Sequence, residues 1–114
     1  MADTHLDRDV LSALQEVMEA EYPLLLDTFL ADSEERLRLL RMAQDAAQVI
    51  SAAHSFKGSS SNMGATQLAE LCRQLEERAR QKPLTGIEDL VHRIDAEFGI
   101  IQRLYQAERD RFPG

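Results

Sequence analysis

Cysteine is nearly missing from this chain. Cys72 stands alone among 114 residues, so no internal disulfide can form and a reducing compartment is compatible with the composition. Tryptophan is absent, aromatic residues make up 5%, and proline occurs three times and glycine five. A β-sandwich draws on more β-branched and aromatic residues than this, so long helices fit better. No apolar run approaches the roughly 18 residues that a membrane span requires. The start, Met1-Ala2-Asp3-Thr4-His5-Leu6-Asp7, lacks the basic and apolar stretches of a signal peptide, so a cytoplasmic location is expected. Positive charge is also short, with 13 Lys and Arg against 20 Asp and Glu and a net charge of -7. That balance argues against a general binder of phosphate backbones, and neither a nucleic-acid nor a membrane partner is expected.

What is present is ordinary globular material, 44% hydrophobic and 29% charged. The length suits one domain over residues 1–114, with a core from about residue 7 to 108 and frayed ends. Charge is unevenly distributed. Residues 1–35 carry ten acids and one base, Arg8, whereas residues 36–114 carry ten acids and twelve bases. Between residues 36 and 57, Arg36, Arg38, Arg41 and Lys57 face only Asp45. Such a stretch is either a solvated helix face or a docking patch for an acidic partner.

Hydrophobic spacing predicts five helices. The first covers about Asp7 to Met18, with Val10, Leu14 and Val17 as its stripe and Leu11 and Met18 at the edge. Pro23 suits the first turn of a long second helix, which ends near Met42. Leu26, Phe29, Leu30, Ser33, Leu37 and Leu40 share one face of it, and Leu24, Leu39 and Met42 fall off that face. A third helix opens near Asp45. A fourth follows Gly64 and carries Leu68, Leu71, Cys72, Leu75 and Ala79, which makes Cys72 a core thiol. Lys82-Pro83-Leu84-Thr85-Gly86 interrupts the pattern, and Thr85 with Glu88 reads as a capping box for the fifth helix. That helix turns Ile87, Leu90, Val91, Ile94, Phe98, Ile101, Leu104 and Tyr105 inward, and Phe112-Pro113-Gly114 reads as a frayed end. Short connections favour antiparallel neighbours. The expected fold is all-α: an up-down antiparallel four-helix bundle with a short extra N-terminal helix.

The segment from Val49 to Ala65 is the most informative. At 100° per residue, with His54 at zero, Val49, Ala52, Ala53, Phe56, Ser60 and Met63 fall between about 160° and 260°. They form the inward face, and His54 points into solvent with Lys57, Gly58 and Ser61 beside it. Ala47 and Ile50 lie on the same side, one to two turns earlier. Gly58 and the four residues after it, Ser59-Ser60-Ser61-Asn62, forfeit about 3 kcal/mol of helix propensity relative to alanine. A glycine one turn after His54 clears space for a bulky group at the imidazole, unless residues 58–64 are simply a loop. Periodicity that continues to Met63, with Gly64 as terminator, favours helix. A neutral imidazole is a nucleophile near neutral pH. A phosphoryl group on it would carry about two negative charges, which Lys57 and the Ser61 hydroxyl are placed to stabilise.

The run His54-Ser55-Phe56-Lys57-Gly58-Ser59-Ser60-Ser61-Asn62-Met63-Gly64-Ala65, followed by Leu68, resembles the signature of histidine-containing phosphotransfer (HPt) domains. The pattern there is His, two residues, Lys-Gly-Ser, then Gly-Ala opening the next helix. The resemblance extends from the second helix through the fifth and is nearest to the small stand-alone bacterial type. Phe56 stands where leucine is commoner, a conservative core change. The resemblance implies a phosphocarrier rather than an enzyme. His54 would accept a phosphoryl group from the receiver domain of a hybrid sensor histidine kinase and pass it to a response-regulator receiver domain. Lys57 and Gly58 would be the charge partner and the clearance position. No cofactor or metal of its own is implied, because the receiver brings Mg²⁺, and a monomer is expected. Arg36, Leu39, Ala47 and Ile50 are candidate docking residues around the histidine.

Other classes fit less well. A histidine-kinase dimerisation domain usually has an acid straight after its histidine, where this chain has Ser55, and no Walker A or kinase glycine-rich loop is visible. A metal-binding bundle would need more than the single Asp89/His92 pair, and His5, His54 and His92 sit on separate segments. A purely structural adaptor bundle would not need the intact His-Lys-Gly arrangement.

Overall fold

The computed structural model describes residues 5–82 and 84–112. It is built from α1 (Arg8–Met18), a short 3-10 turn (Glu19–Glu21), α2 (Tyr22–Met42), α3 (Ala46–Asn62), α4 (Thr66–Ala79) and α5 (Ile87–Arg109). Among the described residues there is no strand. Helices α2 to α5 form a ring in which each packs on its chain neighbour and α5 closes against α2. Antiparallel direction is visible in the cross-links between α2 and α5: Asp27 pairs with Arg109, Glu34 with Gln102 and Arg41 with Asp95, one number rising as the other falls. The result is an elongated up-down bundle of 48 × 29 × 21 Å. No described helix is long and apolar enough to cross a membrane.

Local chemistry sets the helix ends. Asp7 Oδ1 accepts hydrogen bonds from the Asp9 and Val10 amides, and Asp45 Oδ1 accepts one from Gln48, so both acids cap orphan donors at helix starts. Pro23 sits in the first turn of α2. The turn after α3 is held from outside. Gly64 has φ +80°, its carbonyl accepts the Asp7 amide at 2.7 Å, and the Tyr105 hydroxyl donates to the Met63 carbonyl.

Every inward position expected on α2, α3 and α4 is buried, and Leu24, Leu39 and Met42 are exposed as expected. Each large side chain fully removed from water, such as Phe56, Leu68 or Ile94, contributes about 1.5–3 kcal/mol. On α5, Ile94, Phe98, Ile101 and Tyr105 are buried, and Ile87, Leu90, Val91 and Leu104 pack at the margin.

Four local expectations are corrected. On α1 the buried residue is Leu11 and Val17 is exposed, because the Asp7–Gly64 hydrogen bond and the 3-10 turn set which edge of α1 meets the bundle. The Thr85/Glu88 capping box is not formed. Arg78 takes both the carbonyl and the hydroxyl of Thr85, and Gly86, at φ +76°, occupies the cap position instead. Leu6, placed outside the expected core, is buried, and His5 beside it bonds Glu97 at 2.7 Å. Phe112 is not frayed: its ring packs edge-on against Tyr22, which is itself a buried core residue. Pro113 and Gly114, like Pro83, lie outside the described residues.

Candidate functional site

Helix α3 continues through Asn62, so the serine-rich stretch after Gly58 is helical rather than a loop. Ser59 Oγ returns a hydrogen bond to the Phe56 carbonyl, and Ser60 is buried. With Val49, Ala52, Ala53, Phe56 and Ser60 turned into the core, the His54 side chain is left 68% exposed.

The ring is nevertheless fixed. Its Nδ1 lies 2.9 Å from Oε2 of Glu76 on α4, and Lys57 Nζ lies 2.7 Å from Oε1 of the same carboxylate. Arg80 Nη2 reaches Oε2 as well, at 2.9 Å. Glu76 itself is buried, so its charge needs these partners. Hydrogen bonds from Lys57 first, then from Arg80 and more weakly from His54, hold its carboxyl down to about 2 against an ordinary 4.5. Near neutral pH this group is therefore ionised and can only accept. A neutral His54 ring must then carry its hydrogen on Nδ1 and leave the Nε2 lone pair unoccupied on the exposed side.

Gly58 lies one turn beyond the histidine, exposed, and a methyl group there would meet nothing within 4 Å. Packing inside this chain therefore does not require the glycine. The space beside it is open to solvent. Ser61 is exposed one turn further along the same face. Burial pushes the Cys72 thiol up to about 12, which keeps it an un-ionised core group.

Glu76 and Arg80 were not singled out from the sequence. One signal was available: Glu76 sits one turn after Cys72, on the edge of the α4 apolar stripe, where an acid needs a cationic neighbour. Arg80, one turn further along at i,i+4 spacing, is a cation that the sequence itself offers, whereas Lys57 is supplied by the packing of α4 against α3.

Residues 24–107 match the Hpt domain family. The chain is a member of that family. It is also similar to the crystal structure of histidine-containing phosphotransfer protein B (HptB) from Pseudomonas aeruginosa PAO1. The two are 51% identical, the match covers 98% of this chain and 100% of that one, and the TM-score is 0.95. No curated protein matches.

In this Hpt domain the expected docking residues divide between two flanks of α3. Arg36, Leu39 and Ala47 line one groove between α2 and α3, together with Met42 and Ser55, and Arg36 Nε donates to Ser55 Oγ at 2.9 Å. Ile50 does not line that groove and packs against the core margin. The four bases of residues 36–57 do not form one patch either. Arg38 is bound by Glu35, Arg41 turns to Asp95 on α5, and Lys57 turns to Glu76.

Proposed function

We propose that this protein is the intermediate of a multistep phosphorelay. His54 takes a phosphoryl group from the aspartate of a receiver domain on a hybrid sensor kinase and delivers it to the aspartate of a response regulator. The observation that carries this reading is the exposed imidazole whose Nδ1 is tied to Glu76, with Gly58 clearing the approach.

The chemistry balances without any proton leaving the ring. The Nε2 lone pair forms the new N–P bond as the aspartyl P–O bond breaks and its electron pair returns to the carboxylate. The ring gains one positive charge while Nδ1 keeps its hydrogen. Glu76 stands 2.9 Å away to balance that charge. In the return step the N–P electron pair goes back to Nε2, and the leaving group is a neutral imidazole rather than an imidazolate. Lys57 holds Glu76 in place and adds positive charge on the side of the incoming group. Phosphoryl transfer depends mainly on positioning and charge stabilisation, which is what these residues supply.

The receiver provides Mg²⁺, and this chain acts as a cytoplasmic monomer with no metal, nucleotide or kinase activity of its own. Leu39 and Ala47, with Arg36 at the rim, form the docking surface, and Ile50 contributes from the other flank. Ser61 borders the phosphoryl group.

The test is transfer from a panel of phosphorylated receiver domains to the wild-type protein and to His54→Gln. Rapid, acid-labile labelling that disappears in the variant is expected. A folded wild-type protein that accepts label from no receiver would point instead to a structural adaptor.

A further inference from the structure

The cluster around Glu76 carries one more positive charge than it needs. One carboxylate faces both Lys57 and Arg80. The two cations differ in freedom. The Lys57 side chain is 32% exposed and sits against the bundle, whereas Arg80 is 60% exposed and follows the last residue of α4. Arg80 also shares Oε2 with the ring, so a single oxygen atom separates guanidinium and imidazole. The neighbouring guanidinium groups are engaged elsewhere: Arg36 on Ser55, Arg73 on Glu70 and Glu77, and Arg78 on Thr85 and Gln81.

We propose that Arg80 is a mobile phosphoryl clamp, which leaves Glu76 for the phosphoryl oxygens when His54 is phosphorylated and holds the group until a receiver takes it. This rests on His54 being the phosphoacceptor. Phosphorylation adds two negative charges on oxygen and one positive charge on the ring, which cancels the surplus cation of the free site. Arg80's departure also leaves the whole of Oε2 to the Nδ1–H of the charged ring. A guanidinium fork matches phosphoryl oxygens. In a loose transition state the N–P bond breaks and its electron pair returns to Nε2, so negative charge leaves the phosphoryl oxygens. Positive charge on those oxygens therefore stabilises the bound group more than the transition state, and slows its loss to water.

The experiment loads His54 with phosphoramidate, which needs no receiver, and follows phosphohistidine by ³¹P NMR in wild type, Arg80→Ala and Arg80→Lys. The expected result is a phosphohistidine lifetime shortened about fivefold in Arg80→Ala, the scale of one exposed charge-assisted contact. Its ³¹P resonance should move, and Arg80→Lys should restore part of the lifetime. Equal lifetimes with an unmoved resonance would show that Arg80 is only a surface partner of Glu76, and would overturn the clamp while leaving the phosphorelay reading intact. A wild-type protein that loads at no histidine, from phosphoramidate or from any receiver, would overturn both.

Discussion

His54 and Glu76 stand 2.9 Å apart, Nδ1 to Oε2, although 22 residues separate them and they belong to different helices. The acid is buried and the histidine is exposed, so the fixed partner orients the free one. This contact determines which ring nitrogen is available, and the first prediction concerns it.

Replacing Glu76 by glutamine keeps an acceptor for Nδ1 but removes the charge that balances the phosphorylated ring. Transfer to His54 should slow about 10- to 100-fold, the scale of one charge-assisted hydrogen bond. Glu76→Ala should be slower still and should destabilise the fold, because Lys57 loses its partner. Rapid-quench transfer kinetics with a phosphorylated receiver, alongside urea melts, would check both. A Gln variant as fast as wild type would remove Glu76 from the mechanism.

The same carboxyl predicts a pH dependence of stability. Its value in the folded protein is about 2, below the ordinary 4.5. The stabilisation is therefore complete above about pH 4.5 and is lost as the pH falls from there towards about 2. Over that window wild type should lose more stability than Glu76→Gln, as measured by urea denaturation at stepped pH. Parallel curves would refute the coupling.

Gly58→Ala should separate stability from function. A methyl group meets nothing within 4 Å, and alanine is the better helix former, so the variant should gain about 1 kcal/mol. Larger side chains there, such as leucine, should obstruct the partner and slow transfer while the melting temperature stays high. Unchanged transfer with leucine would mean that the clearance is not used.

Two glycines with positive φ should respond differently to alanine. At Gly64 the new Cβ would lie 3.0 Å from the Asp7 carbonyl oxygen and 3.1 Å from Val10 Cβ, and backbone there cannot give way. At Gly86 the nearest atom is the Arg78 side chain at 3.3 Å, which can move. Both variants carry the left-handed strain of roughly 1–2 kcal/mol, and Gly64→Ala should lose more than that. Thermal melts of the pair decide it, and equal losses would mean that residues 5–7 do not brace the α3–α4 turn.

Docking should be separable from chemistry. Leu39→Asp or Ala47→Asp in the α2–α3 groove should raise the concentration of receiver needed for half-maximal transfer about tenfold, with phosphoramidate loading unchanged. The groove is lined by Asp32, Glu35 and Asp45 as well as Arg36 and Arg38, so an added acid also reinforces its negative side. If both variants transfer normally, the receiver meets another flank of His54.

Much of this site was legible in the residues themselves. A 3.6-residue period separates buried from exposed faces with no knowledge of the neighbours, because any helix in a bundle must turn its apolar stripe inward. That is why Val49, Ala52, Phe56 and Met63 mark the core and, by exclusion, place His54 in solvent. Capping acids are similarly local, since Asp7 and Asp45 satisfy amides two or three residues away. Thr85 failed as a cap for the opposite reason: Arg78, on the preceding helix, competes for its oxygens.

By itself, then, the sequence determined the helices, their inward faces, the exposure of His54 and the cleared position at Gly58. These depend on spacing along one chain segment. Only the tertiary structure decided that Glu76 holds Nδ1 and that Lys57 faces the acid. It also decided that Ile50 leaves the groove lined by Arg36, Leu39 and Ala47. Those relations arise where two helices meet, and the rotation of one helix against another follows from the packing of all their side chains together.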